Sequence, residues 1–337
     1  MPDDGAMHQL APYVDGLPNT RPNKRLDEAF DRDVADAALA GLLAAEKKLP
    51  ARLFYDEAGC RLFDAITALP EYYPTRTELA LLPAIAPEIS ALTPKGAALV
   101  EYGACDEAKA SLLLRAAAFA AYVPIDVAAP ALNRLRQRMR TNWPQLRVAP
   151  VIADFLRPIV LPAMVDRMPR LGFFPGSTIG NLDPDQVRRF LRQVRITLGP
   201  GACFLVGADL CKDPEILLPA YDDAAGVTAA FNLNLLVRLN REASADFDVQ
   251  NFRHEAVWNN AESRIEMHLV SRRAQTVRVD GHIIRFAAGE SIHTENSYKF
   301  SEASLINLAA TAGWRLMRRW TDPARLFSVV LLEQHAA

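Results

Sequence analysis

The feature that most constrains the fold is an alternation through the middle of the chain, where short apolar runs take turns with segments of helical spacing. The strand-like runs are GAALVEYG, AAYVPIDV, RVAPVIADF, LGFFPGST and ACFLVGADL. Between them lie DEAKASLLLRAAA, APALNRLRQRMRTN and DPDQVRRFLRQVRITLG, whose apolar residues recur at the three- and four-residue steps of a helix face. Strands that are apolar throughout rather than every second residue are covered on both sides. Strands alternating with helices of this length therefore imply a mainly parallel sheet with helical crossovers.

That pattern stops at Cys211 and is less regular to about Ser297. This stretch offers one helical segment, AAGVTAAFNLNLLVRLNRE, then a polar–apolar alternation in which VDGH reads as a hairpin turn. The strand-helix pattern then resumes with SEASLINLAATAG, WRLMRRWTD and LFSVVLLEQ. Ending a parallel sheet with helix, strand and adjacent strand is the ordering typical of class I methyltransferases. The expected fold is α/β: a Rossmann-like class I methyltransferase sheet, mainly parallel with its last strand antiparallel, and a second α+β lobe. The expected boundaries put residues 1–74 and 211–298 in the second lobe, and 75–210 and 299–337 in the sheet domain. A helix is expected from about Leu26 to Lys48.

A net charge of −2 over 337 residues gives no electrostatic footprint for nucleic acid or an anionic membrane. No apolar stretch approaches the ~20 residues that span a bilayer. The opening MPDDGAMHQLAPYVDG is acidic and lacks a signal-peptide layout. Cys60, Cys105, Cys203 and Cys211 share no CxxC spacing and read as reduced thiols, so the expected location is the cytoplasm. The six histidines do not cluster with the cysteines, and no metal is expected. The expected protein is a monomer acting on a small molecule.

Ligands of open α/β sheets bind at the carboxyl ends of strands. Here Gly103 follows the first strand, Asp126 ends the second, and Asp154 with Phe155 ends the third. A carboxylate after strand two accepts hydrogen bonds from ribose hydroxyls. An Asp–aromatic pair after strand three serves an adenine amine and covers its ring. Taken alone, Asp126 and Asp154 read equally well as turn caps; three such strand ends in succession favour a nucleoside-bearing cofactor. A dinucleotide loop needs G-x-G-x-x-G to cradle a pyrophosphate. This chain has Gly103, Cys105 and Ala108 at those positions, which argues against NAD. S-adenosyl-L-methionine carries no phosphate and demands less of the loop. Lys109 stands where it could hold a methionyl carboxylate, or be a solvated helix lysine.

The stretches LFYDEAGCRLFDAITALPEYYPTRTELALL, FFPGSTIGNLDP, AYDDAAGVTAAFNLNLL and HTENSYKF resemble the histidine Nα-methyltransferases of ergothioneine biosynthesis. The resemblance runs from about residue 50 to the C-terminus. It implies transfer of three methyl groups from S-adenosyl-L-methionine to the α-amine of L-histidine, giving hercynine, and a second lobe that binds the substrate. Carried over by motif, Gly103, Lys109, Asp126, Asp154 and Phe155 bind the cofactor. Tyr55 of FYD lies close to the sulfonium and the reacting amine, as the catalytic residue. Tyr72, Asn181 and Tyr221 are implied on the substrate, the last two on its α-carboxylate. Glu295 and Ser297 of TENS would read the imidazole, and Met267 would line that pocket.

The residue types suit the chemistry. Methyl transfer to a neutral amine needs positioning more than covalent catalysis. An aromatic-walled, dry pocket favours the neutral amine and attracts a sulfonium. Outside the motifs the same residues have plain readings: Tyr72 as an interface aromatic, Asn181 as a cap, Glu295 and Ser297 as a solvated strand face, Met267 as core. His254, His268, His282 and His293 match none of the family's functional positions and receive no role. The chain departs from the family where GACDEAK replaces the usual GSGxSxK. Cys105 is tolerable there if its φ stays negative and costly if the position is left-handed. Two other readings stay open: methylation of another amino acid or amine, and an inactive homologue that binds an amino acid or betaine.

Overall fold

A computed structural model describes residues 30–334. In chain order the helices are α1 (Arg32–Leu42), α2 (Glu57–Thr67), α3 (Tyr73–Leu92), α4 (Ala108–Ala116), α5 (Ala129–Asn142), α6 (Pro184–Leu198), α7 (Pro214–Leu217), α8 (Val227–Glu242) and α9 (Glu302–Thr311). The strands are β1 (Ala98–Tyr102), β2 (Ala121–Asp126), β3 (Arg147–Val148), β4 (Val151–Ile152), β5 (Arg170–Phe174) and β6 (Cys203–Asp209). They continue with β7 (Phe252–Asn259), β8 (Arg264–Ser271), β9 (Gln275–Val279), β10 (His282–Phe286), β11 (Ser291–Tyr298), β12 (Trp314–Thr321) and β13 (Phe327–Gln334).

The large sheet runs β12-β13-β6-β5-β1-β2-β3, with β4 also pairing β2. Pairings among β1 to β6 are parallel, whereas β13 is antiparallel to both β6 and β12. This is the expected sheet, with the last strand reversed. One expected strand differs: RVAPVIADF forms two short pieces, β3 and β4. Pro150 between them has no N–H to give the ladder. Pairing with β2 resumes at Ile125 and Val151.

Two apolar cores cover the two faces of this sheet. Side chains alternate between them along each strand, so Leu99, Phe173 and Leu205 enter one core and Val100, Phe174 and Val206 the other. The second core also holds Tyr102, Phe190, Phe204 and Trp314, all essentially buried. Burying each such ring stabilises the fold by roughly 1.5–3 kcal/mol.

The described chain divides into two compact units. One comprises Tyr73–Lys212, Ala261–Arg264 and the residues from Asn296 onward, and carries the large sheet. The other comprises the described residues up to Tyr72, Asp213–Asn260 and Ile265–Glu295. In this second unit α8 packs on α1, α2 and β7. Asp223 caps α8, accepting the N–H groups of Val227 at 2.9 Å and Thr228 at 2.7 Å. The strands form a β11-β8-β7 sheet and a β9–β10 hairpin, which turns through Asp280 and Gly281 with φ of 43° and 78°. VDGH is thus the tight turn that its sequence predicts.

The expected helix from Leu26 to Lys48 is shorter. Its first four positions lie outside the described residues, and α1 starts at Arg32, capped by Asp31, which accepts the Asp33 N–H at 2.9 Å. It stops at Leu42 because Lys47–Leu49 pairs along His293: the His293 N–H reaches the Lys47 carbonyl, and Leu49 N–H the His293 carbonyl, each at 2.9 Å. No described helix is long and apolar enough to cross a membrane.

Candidate functional site

In the sheet unit, the residues singled out at strand ends sit at the carboxyl edges of β1, β2 and β4. Gly103 has φ +74°, a left-handed conformation that costs an L-residue strain. Its N–H reaches the Ile125 carbonyl at 2.8 Å, tying the first loop to the end of β2. A Cβ on Gly103 would stand 3.8 Å from Thr178 Cγ2 and 3.9 Å from Phe155 Cε1, so the Phe155 ring approaches this turn. Phe155 itself packs edge-on against Phe174 and Phe190, with centroids 5.4 and 5.5 Å away. Cys105 lies outside the left-handed region, so the thiol replaces a glycine without backbone strain. Burial, then the carboxylates of Asp106 and Asp126, push its pKa up and keep it a thiol.

Asp126 accepts the Ala128 N–H at 2.7 Å, and Asp154 accepts the Leu156 N–H at 2.9 Å. Both therefore serve as caps. A carboxylate accepts about four hydrogen bonds, so capping leaves each able to take a ligand hydroxyl or amine. Burial raises the pKa of Asp126, and the backbone donors of Ala128 and Val127 oppose that rise. Asp106 opens α4 by accepting the Ala108 N–H at 2.7 Å.

Lys109 is paired with Glu78 of α3 at 2.8 Å, both side chains largely or wholly buried. Burial presses the lysine pKa down, but the charge and hydrogen bond of Glu78 more than offset it. Glu78 Oε2 also accepts the Gly176 N–H at 2.8 Å, which joins the loop after β1 to the PGSTIGN segment. Glu78 Oε1 is buried without a hydrogen-bond partner among the described residues. Asn181 ends the single 3-10 turn Thr178–Asn181 of that segment. The turn starts at Ser177, whose φ is 57° and whose Oγ accepts the Asp209 N–H at 2.9 Å.

Asp209 is the hub of a buried polar group. Its carboxylate takes Tyr73 Oη at 2.7 Å, Lys212 Nζ at 2.6 Å and Lys299 Nζ at 2.8 Å. Lys299 Nζ also donates to Ser297 Oγ at 2.8 Å. Ser297 is buried, as is Lys299.

In the other unit, three of the expected residues share one aromatic cluster. Tyr55 meets Phe63 and Phe231, with centroids 6.0 and 6.2 Å apart; Tyr72 meets Phe63 at 6.3 Å and Tyr221 at 6.2 Å. Asp56, next to Tyr55, caps α2 through the Gly59 N–H at 2.7 Å and holds Asn234 at 2.8 Å and Arg241 at 2.6 Å. Burial works to raise its pKa, but the hydrogen bonds from Arg241, Gly59 and Asn234 win and hold it below the usual range. Met267 is buried in β8, and its carbonyl accepts the Thr294 hydroxyl at 3.0 Å, one residue before Glu295 of β11.

Sequence reasoning gave no role to His254, which turns out to hold Tyr221. Asn232 Nδ2 lies 2.8 Å from His254 Nδ1; an amide nitrogen only donates, so Nδ1 is bare and Nε2 carries the proton. Nε2 then donates to the Tyr221 carbonyl at 2.8 Å. Ligating atoms of Glu266, His268 and His293 fall within 4.8 Å of one another, although no metal was expected. The two imidazoles stack, with centroids 5.0 Å apart and planes 23° off parallel. Glu78 was also missed, though its spacing to Leu82, Ile85 and Ile89 along the buried face of α3 signals an acid turned inward.

A family model described as histidine-specific methyltransferase, SAM-dependent, matches residues 34–334. The histidine N-alpha-methyltransferase of Mycolicibacterium smegmatis is 46% identical over 311 residues, covering 90% of this chain and 94% of that protein. That of Mycobacterium tuberculosis is 40% identical over 309 residues, again covering 90% and 94%. Ergothioneine biosynthesis protein 1 of Neurospora crassa is 28% identical and covers 82% of this chain but 32% of its own length. With a strand-end loop built on Gly103, the reversed last strand and a match over almost the whole described chain, this protein belongs to the SAM-dependent, histidine-specific methyltransferases.

Proposed function

We infer that this chain transfers methyl groups from S-adenosylmethionine to the α-amine of L-histidine, forming hercynine as a step toward ergothioneine. The observation that carries the reading is one aromatic cluster, with Tyr55 on Phe63 and Phe231, Tyr72 on Phe63 and Tyr221 on Tyr72, in a chain of a histidine-specific family. Against an inactive binding homologue, the chain keeps Tyr55 and Asp126 together, for which binding alone has no chemical need.

Gly103, Asp126, Asp154 and Phe155 suit a nucleoside without a phosphate: two carboxylates for hydroxyls and an amine, and a ring beside the glycine turn. Bound there, the cofactor supplies a methyl group on a sulfonium. The chain supplies placement. Lys109, kept charged by Glu78, is assigned to the methionyl carboxylate. Asn181 and Tyr221 are assigned to the α-carboxylate of histidine, Tyr55 and Tyr72 to the walls around its amine. Glu295 accepts an imidazole N–H, Ser297 meets the other ring nitrogen, and Met267 lines the pocket.

The α-ammonium has an ordinary pKa of about 8 and must lose a proton before each transfer. Aromatic walls that exclude water favour the neutral amine, so binding itself shifts that equilibrium the right way. Glu295 and Ser297 reject side chains that cannot complement them, since a buried polar group left unpaired costs about 1–3 kcal/mol. We assign the cofactor to residues 75–210 and 299–337 and most of the amino-acid contacts to 1–74 and 211–298, with Asn181 the substrate contact that comes from the first set. The reading also takes the enzyme as a monomer in the cytoplasm, and the four free thiols suit a reducing compartment.

Competition across the free amino acids tests this. With S-adenosylmethionine saturating, L-histidine is expected to give the highest kcat/KM, well above tryptophan, phenylalanine and glutamine. Faster turnover of another amino acid or amine would move the substrate assignment there.

A further inference from the structure

Lys299 lies within HTENSYKF but has no role as read from sequence, yet it touches Ser297 of the same stretch directly. Its Nζ lies 2.8 Å from Ser297 Oγ and 2.8 Å from Asp209 Oδ2, with its side chain fully buried. An ammonium has three protons and no lone pair, so the contact with Ser297 has one direction only. Ser297 accepts, and its own proton must be given elsewhere. The geometry is fixed from behind: Asp209 is held by the Tyr73 hydroxyl and by Lys212, and its N–H by Ser177.

We propose that Lys299 is a positioning residue that fixes the polarity of Ser297, so that the site selects histidine with a neutral imidazole. The proposal rests on the reading of Glu295 and Ser297 as the imidazole contacts. A neutral imidazole presents one N–H and one bare nitrogen. Glu295 as a carboxylate only accepts, and takes the N–H; Ser297, with Lys299 behind it, donates to the bare nitrogen. An imidazolium would turn a second N–H toward the hydroxyl proton and the ammonium behind it, and is rejected by both. Indole, which has no acceptor nitrogen, fails for the same reason. The charged groups gathered here are Asp209, Lys212 and Lys299, with Tyr73 on the carboxylate and Glu295 two residues along β11.

The wild-type protein supplies the first test. Hercynine, which has no amine proton to lose, is titrated calorimetrically into the enzyme–S-adenosylhomocysteine complex at pH 5.5, in buffers of different ionisation enthalpy. Free imidazole, with an ordinary pKa of about 6.5, is then mostly protonated. The proposal expects release of close to one proton per molecule bound. Binding with no proton release overturns it.

The second test separates the relay from the assignment beneath it. Ser297→Ala and Lys299→Met are each expected to raise the KM for histidine roughly tenfold with less change in kcat, while Lys299→Arg keeps a donor and stays near wild type. In the Ser297→Ala background, Lys299→Met is expected to add less than twofold. If it adds its full effect there, Lys299 does not act through Ser297. If Ser297→Ala alone leaves the KM unchanged, the imidazole assignment of Ser297 fails instead. Should Lys299→Met not fold, the proton count on the wild type decides.

Discussion

His254 donates from Nε2 to the carbonyl of Tyr221 at 2.8 Å, and Asn232 holds the opposite ring nitrogen at the same distance. The ring therefore locks the backbone of a residue assigned to the substrate carboxylate. His254→Phe leaves that carbonyl without its donor and removes one of the two acceptors of the Asn232 amide, which keeps the His268 carbonyl at 3.1 Å; the loss costs about 1–3 kcal/mol. A lower melting temperature and a raised KM for histidine are expected, with S-adenosylhomocysteine affinity unchanged. Burial also lowers the pKa of His254 from 6.5, so it is neutral in the fold while the unfolded chain takes up a proton below that pH. Its contribution to stability is present above pH 6.5 and is lost as pH falls. His254→Gln should flatten that part of the stability profile in urea titrations.

Lys109 and Glu78 form a buried pair, and the loop of Gly176 hangs from the same carboxylate. Lys109→Met leaves Glu78 uncompensated and should destabilise the protein by about 3–5 kcal/mol. The double variant Lys109→Met with Glu78→Gln should regain much of that stability without regaining cofactor affinity. Recovery of both in calorimetry would mean that Lys109 acts only as the partner of Glu78.

Gly103 should be sensitive to substitution and Cys105 tolerant of it. Gly103→Ala forces a Cβ into a left-handed conformation, although nothing stands closer than 3.8 Å. The strain of about 1–2 kcal/mol should weaken S-adenosylhomocysteine roughly tenfold. Cys105→Gly relieves no strain and should change affinity less than threefold. A large gain from Cys105→Gly would show that the thiol crowds the cofactor.

Glu101 is buried beside the Tyr122 hydroxyl, and burial raises its pKa from 4.5 to about 8. It stays protonated in the fold while the unfolded chain ionises above 4.5. Its contribution is complete below pH 4.5 and declines as pH rises to about 8. Glu101→Gln keeps the acceptor for Tyr122 and should make the protein more stable than wild type at pH 8 and about equal at pH 4.5.

The sheet was legible because its strands are apolar on both faces, and that pattern has few other solutions. RVAPVIADF misled only at Pro150, whose missing N–H splits the strand. Tyr221 stands far in sequence from the stretch that holds Tyr55 and Tyr72, and only the fold gathers the three, Phe63 meeting the first two and Tyr72 meeting Tyr221. The supporting residues were least visible. Asp209 pairs with Lys299 and His254 with Tyr221 across long stretches of sequence, so no local spacing announces those pairs. Glu78 was the exception, since an acid in register with Leu82 and Ile85 breaks an apolar face.

Methyl transfer with a trideuteromethyl-labelled S-adenosylmethionine and L-histidine tests the central claim most directly. Mass spectrometry of the product is expected to show three labelled methyl groups, all on the α-nitrogen and none on the ring. Unlabelled histidine after full turnover of the donor with another amine, or label on the imidazole, would contradict it.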